Sequence, residues 1–196
     1  KKSGIAIRQI DYFAVGLGPG SFTGLRVGLA TIKGFAFSLN KPIIGIASLD
    51  VLARSINKFD GSTTLTINPQ ASRRIEAYIC PIIDAKRQLV YSAIYKLKDG
   101  QLLRRCSRYM LVPIKECLKK IDKKQKVIFL GDGIPLYYET IVKKLGYIAS
   151  IASESFWYPK PENLIALARE RIKNRQFDNP DNTVPLYLYP KECQVR

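Results

Sequence analysis

Histidine is missing from this 196-residue sequence altogether, and tryptophan and methionine each occur once. Without histidine the usual general base of a Ser-His-Asp triad and the commonest metal ligand are both gone, so a triad hydrolase is excluded. Cysteine is also sparse. Cys80, Cys106, Cys117 and Cys193 stand at irregular spacings with no CxxC pair, which is the pattern of reduced thiols in a cytosolic protein rather than of a zinc site or a disulfide framework. No metal and no cofactor is therefore expected. No apolar run reaches the roughly 18 residues of a membrane span, and the first residues lack the charged-then-apolar pattern of a secretion signal. A soluble, cytoplasmic protein without a membrane partner is the expectation.

Acidic residues are scarce: 16 Asp and Glu against 32 Lys and Arg, a formal net charge of +16. Such an excess draws polyanions by counterion release, and nucleic acid is the obvious candidate. The excess does not locate a site, because residues 1–61 carry 8 basic and 3 acidic groups and residues 62–196 carry 24 and 13.

What the chain does have is strand-and-helix punctuation. A short apolar run at 12–16 meets a glycine-rich turn, and a long helical pattern follows over 21–39, with Ser21 as N-cap and Asn40 and Pro42 as its end. Residues 43–46 read as a buried strand, completing a right-handed βαβ unit, and a second helix starts near Ser48. Polar residues around Asn68-Pro69-Gln70 suggest a division, giving one unit over 1–61 and another over 62–196. The second opens on apolar runs at 78–83 and 89–95, then an Asp99-Gly100 hairpin turn and a strand over 102–111. A helix at 114–124, a strand at 127–130, the turn Gly131-Asp132-Gly133, a helix at 135–145, a strand at 147–151 and a helix at 161–173 complete it. The tail at 184–188 reads as an extended segment docking back on the N-terminal part. Strands, hairpins and helices in this order indicate an α/β fold with a partly antiparallel sheet.

The stretch from Gly16 to Gly28, GLGPGSFTGLRVG, is the most informative. A glycine-rich strand-to-helix turn can present N–H groups to a phosphate, and Gly18, Gly20, Ser21 and Thr23 are the residues that would do so. No Gly-Lys-Ser/Thr follows, however, and Gly16-x-Gly18 is not completed by a glycine at 21, so neither the P-loop nor the dinucleotide template is met. The other use of these glycines is close packing. Gly20, Gly24 and Gly28 recur every four residues, as do Ala30 and Gly34, while large apolar residues leave almost no polar face. A helix apolar nearly all round is buried on several sides, within its own domain or by a partner.

Gly18 to Gly28, GPGSFTGLRVG, closely resembles the signature of the TsaB (YeaZ) family. PIIGIASLDVL from Pro42, Pro81 to Arg87 with Val90-Tyr91, and Pro185 to Leu188 resemble the same family. The resemblance implies an actin/Hsp70/sugar-kinase-like (ASKHA) α/β fold of two subdomains. It also implies a non-catalytic role: a scaffold for a TsaD-like catalytic subunit, which it meets through N-terminal helices, in threonylcarbamoyl transfer to the adenosine beside the tRNA anticodon. Phe22, Gly24, Arg26, Gly28, Leu29 and Ile32 are the implied interface residues. A TsaE-like ATPase, tRNA on the basic surface and a second copy of the chain are further candidate partners. Family members begin with a strand carrying an Asp-Thr/Ser turn, a hairpin and a first helix, none of which precedes Lys1, so the N-terminal subdomain is expected to be truncated. The alternative from a different class is an ATP-binding enzyme of the same fold, a small kinase or acyltransferase.

Three lesser features remain. Lys115, Lys119, Lys120, Lys123, Lys124 and Lys126 surround Ile114, Leu118 and Ile121 at helical spacing, which fits a solvated face better than a tRNA contact. Arg73-Arg74 and Arg104-Arg105 lack interleaved aromatics of the single-strand-binding kind. Asp84 with Lys86 and Arg87 reads as a capped turn, and Asp132 as a structural residue between two glycines.

Overall fold

A computed structural model describes residues 4–56, 64–65, 77–98 and 101–189. The expected division around residues 61–70, Arg73-Arg74, the Asp99-Gly100 turn and Cys193 lie outside the described residues.

Two compact units form, one from residues 1–48 and 161–187, the other from 49–160 and 188–196. They are divided elsewhere than composition suggested: the first closes at Ser48, and residues 161–187, expected in the second, belong to it.

In the first unit, strand β1 (Phe13–Gly18) leads into helix α1 (Phe22–Leu39) and strand β2 (Ile43–Ala47), which pairs parallel to β1 with Phe13 opposite Ile43. The helix starts because the Ser21 hydroxyl accepts the Gly24 N–H at 3.3 Å, and stops because Asn40 turns left-handed at φ 49°. Phe13, Ala36 and Ile43 form the core between helix and sheet, with Ile10, Ile32 and Leu39 against it. Helix α5 (Pro161–Lys173) has the bounds read from the sequence and packs on both strands. The segment after it adds an isolated bridge from Asp178 to Ile43, and the Leu186 N–H donates to the Leu17 carbonyl at 2.7 Å.

The second unit starts with helix α2 (Ser48–Arg54), whose Leu49, Leu52 and Ala53 are buried. Its sheet contains strands β3 (Thr64–Leu65), β4 (Ala77–Asp84), β5 (Leu89–Ser92), β6 (Tyr95–Lys98), β7 (Gln101–Arg105), β8 (Met110–Pro113), β9 (Lys126–Leu130) and β10 (Ala149–Ala152). Their order is β3-β10-β9-β4-β5-β8, with β6 pairing β4 and β7; β10, β9 and β4 are parallel and the remaining pairs antiparallel. Helices α3 (Ile114–Lys119) and α4 (Ile134–Leu145) cover one face. Strand alternation sends Val127 and Phe129 toward them, and Ile128 and Leu130 toward α2 on the other face. β9 is apolar throughout because both of its faces are covered.

Four sequence expectations change here. The run 89–95 is two strands: both pair with β4 in one register, but at Ala93-Ile94 the outer partner switches from β8 to β7, and the Ile94 N–H and C=O bond to Ser107 and Cys106 instead. For the same reason the strand expected over 102–111 is interrupted at 106–109. The helix expected to 124 ends at Lys119, since the Asp122 carboxylate accepts the Lys124 N–H at 2.9 Å and folds the chain into a turn. The strand expected over 147–151 is a 3-10 turn, Gly146–Ile148, followed by β10.

The tyrosine and cysteine groups of this core are paired, whereas Gln125 Oε1 is buried without a partner among the described residues. Tyr95 and Tyr109 donate to the two oxygens of Asp50 at 2.6 and 2.7 Å, and burial first, with Asp50 second, pushes both phenols well above their ordinary range, so they remain donors. Cys80 and Cys117 lie with sulfurs 3.9 Å apart, each within hydrogen-bond reach of the buried Ser92 hydroxyl. The bond with Cys117 and then burial raise the Cys80 thiol, which leaves it without nucleophilic thiolate. The same bond lowers the Cys117 thiol, but its complete burial keeps reagent out, so alkylation of the native protein at neutral pH is expected to modify the exposed Cys106 and spare Cys80 and Cys117 until denaturant is added, as read by peptide mass spectrometry.

Candidate functional site

The glycine-rich turn and α1 form the candidate site, and each glycine has a different reason to be there. Gly18 is required by its own unit: its φ is +96°, and a Cβ would come within 2.6 Å of the Leu25 side chain. At Gly24 a Cβ would lie 3.3 Å from the Ser21 hydroxyl that caps the helix. Gly28 and Gly34 are different. Nothing stands within 4 Å of a Cβ at either, and their backbone is ordinary helix. In a helix interior glycine costs about 0.5–1 kcal/mol relative to alanine, so the unit by itself would be more stable with alanine at both positions.

Around these glycines the outer face of α1 is apolar. Phe22, Val27, Phe35 and Phe37 are 46, 59, 39 and 55% exposed, and Thr23, Gly24, Ala30, Thr31 and Gly34 are also exposed. Val27, Ala30, Thr31, Gly34 and Phe37 follow one another at the three- and four-residue spacing of one helix face, next to Gly24 and Gly28. Arg26 sits at the start of this face with its guanidinium 3.8 Å from the Phe22 ring centroid, and its Nε donates to the Tyr187 hydroxyl at 2.9 Å. Both side chains are thereby held in place.

Of the interface residues named from sequence, the structure brings Phe22, Gly24 and Arg26 together on the exposed face, with Gly28 partly exposed beside them. Leu29 is a correction. It is 5% exposed because it turns into its own unit, and Ile32 packs mainly against the Phe13, Ala36 and Ile43 core. Val27, Phe35 and Phe37 occupy the outer positions instead; apolarity all round the helix hid which side the sheet would take. Of the phosphate-contact residues, Ser21 spends its hydroxyl oxygen on the cap, Gly20 is open, and Thr23 is exposed.

The turn Gly131-Asp132-Gly133 and the hairpin after Asp84 interlock in the second unit. Gly131 has φ +112°, and a Cβ there would run onto the carbonyl of Ile82, whose oxygen also accepts the Gly133 N–H at 3.0 Å. The Asp132 carboxylate accepts the Asp84 N–H at 3.0 Å, and Asp84 accepts from the Lys86 N–H and ion-pairs with the Lys86 ammonium. Burial works to raise Asp84, but the bonds from Lys86 outweigh it and hold the carboxyl below its usual range. The carboxylates of both turns are therefore engaged in holding backbone, as their sequence reading proposed.

One group escaped sequence reading. Asp178 accepts two bonds from Arg171, at 2.8 and 3.0 Å, and a third from the Gly45 N–H at 2.7 Å, while Arg171 donates to the Gly45 carbonyl at 2.8 Å. Together they clip the α5 segment onto β2. Nothing local in the sequence signals it, because Gly45 lies more than 120 residues from both partners.

The family model described as TsaD, tRNA N6-adenosine threonylcarbamoyltransferase, matches residues 1–194. The tRNA threonylcarbamoyladenosine biosynthesis protein TsaB of Bacillus subtilis (strain 168) is 31% identical over 194 residues, spanning 98% of this chain and 75% of that protein. The protein of the same name from Escherichia coli (strain K12) is 32% identical over 98 residues, half of this chain and 36% of its own length. Among solved structures, YeaZ from Pseudomonas aeruginosa superposes with a TM-score of 0.73 at 23% identity, covering 95% of this chain and 78% of that one. The α/β architecture is thus the ASKHA-type fold expected from the glycine signature, and the chain belongs to the TsaB (YeaZ) family.

Proposed function

We propose that this chain is a non-catalytic scaffold subunit in tRNA threonylcarbamoyladenosine biosynthesis, which docks a TsaD-like catalytic subunit on the outer face of α1. Through that contact it supports transfer of the threonylcarbamoyl group to the adenosine beside the anticodon, in the cytoplasm and together with a TsaE-like ATPase. One observation carries the reading: Gly28 and Gly34 lie at an apolar helix face, are less favourable there than alanine would be, and have no neighbour among the described residues that needs them small. A second helix backbone approaching that face would need them small. The role in this pathway is the one named for the Bacillus subtilis relative. The engaged state of Ser21, Asp84 and Asp132 supports a scaffold rather than a catalyst.

The test is co-purification with the TsaD-like protein of the same genome. Wild type is expected to form the complex. Gly28→Leu is expected to lose it while melting near the wild-type temperature, because leucine gains helix propensity and its Cβ meets no atom among the described residues. A complex that survives Gly28→Leu overturns the placement on α1, and no complex with wild type overturns the scaffold reading. Measurable ATP affinity of the chain alone would favour the enzyme alternative instead. A second copy of the chain would compete for the same face, so light scattering with and without the TsaD-like subunit separates the two occupants.

A further inference from the structure

In the second unit, Ala149 lies abreast of Val127 in the parallel ladder, so the segments entering β9 and β10 run side by side at one end of the sheet. Helices α3 and α4 both terminate at that end. The first finishes on Lys119 with Lys120 as its cap, and the last turn of the second carries Lys143 and Lys144. The connection into β9 adds Lys123, Lys124 and Lys126, of which only the last is half-buried. Tyr147, 78% exposed, stands directly before β10.

Seven lysines and one exposed phenol thus stand on the segments that meet at this end of the sheet. Few acids stand among them: the Asp122 carboxylate holds the Lys124 N–H, Glu139 is one turn before Lys143, and Glu116 pairs with Lys119, the one lysine of the seven in an ion pair among the described residues. One or two cations would answer the partial negative charge at the two helix ends. Lys120 also acts on the Glu116 carboxylate, while Lys123, Lys124, Lys143 and Lys144 are exposed and in no ion pair among the described residues. The cluster is also distinct from the Gly131-Asp132-Gly133 turn, which leaves the opposite end of β9. The solvated-helix reading of these lysines no longer accounts for them, because α3 stops before Lys123.

We propose that this end of the second unit binds RNA, its lysines contacting backbone phosphates and Tyr147 offering a ring face to a base. That the polyanion is RNA rests on the tRNA-modification reading above; that a polyanion binds here rests on the placement of the lysines.

The test titrates an unmodified tRNA transcript into the isolated full chain between about 50 and about 300 mM KCl, with no partner subunit present. Wild type is expected to bind with a steep salt dependence. Lys124→Gln combined with Lys144→Gln is expected to weaken binding about tenfold and to reduce the slope of log K against log[salt] by about two. Arg169→Gln combined with Lys173→Gln removes the same charge from the first unit and is expected to leave the slope unchanged. Tyr147→Ala is expected to lower affinity without altering the slope. Protection of Lys124 and Lys144 from acetylation by bound tRNA gives the same answer on the unsubstituted protein. Equal losses in both pairs of substitutions, no binding by wild type, or binding to phosphatidylserine vesicles in place of tRNA overturns the proposal. None of these results depends on the TsaD-like subunit, so failure here and failure of the co-purification are separate.

Discussion

Gly131→Ala is expected to lower the melting temperature of the second unit by roughly 10 °C. Two costs combine. The backbone there sits at φ +112°, which an L side chain rarely adopts, at a cost of about 1–3 kcal/mol. The added methyl would also be driven onto the Ile82 carbonyl, which is backbone and cannot rotate away, for a further 1–3 kcal/mol or so. At about 2–4 °C per kcal/mol for a chain of this size, the sum gives the stated shift. Gly20→Ala, where nothing lies within 4 Å and φ is unexceptional, is the matched control and is expected to move the transition by no more than a degree or two. Circular dichroism melts of the two variants decide it: equal shifts would mean that Ile82 and Gly131 separate freely.

Asp178→Ala is expected to cost the first unit about 2–4 kcal/mol at neutral pH, since it leaves the Arg171 guanidinium and the Gly45 N–H partly buried without their acceptor. The pH dependence follows from the direction of the Asp178 shift. Burial pushes its carboxyl up, but the bonds from Arg171 and the Gly45 N–H outweigh burial and hold it below the usual range. A carboxyl depressed in the folded state contributes stability that is complete above its unfolded value, about 3.9, and is lost as pH falls through the lower folded value. The gap in denaturant midpoint between wild type and Asp178→Ala is therefore expected to be constant from about pH 5 to pH 8 and to close below about pH 4. A gap that widened on acidification would show that the carboxylate is not what the clip depends on.

How much of this was legible in the sequence depended on how local the cause was. Ser21, Asn40 and Pro161 mark helix ends by bonds and backbone angles within a few residues, and α1 and α5 were read almost to the residue. The unbroken apolar run at 43–46 was read as a buried strand, and β2 is buried throughout. The break at Ala93-Ile94 was hidden because it arises from a change of partner strand, which no property of the run 89–95 reports. The candidate site was read in the same way. The glycine spacing left burial within the domain and a partner surface both open for α1, and a helix apolar all round does not reveal which side its own sheet will take, so Leu29 was placed outward and Phe37 was not. The Asp178 clip joins residues more than a hundred positions apart, and only the folded chain brings them together.

The division of the first unit between 1–48 and 161–187 has a consequence during synthesis. Residues 49–160 are contiguous, so the second unit can form most of its sheet once Lys160 has left the ribosome, lacking only the end of the chain from Leu188, whose Tyr189 hydroxyl donates to the Ala85 carbonyl. The first unit must wait with β2 unclipped until Arg171 and Asp178 emerge. For that interval β1, α1 and β2 are a nascent segment with an uncovered sheet edge and an apolar helix, the part of the chain on which a ribosome-bound chaperone would act.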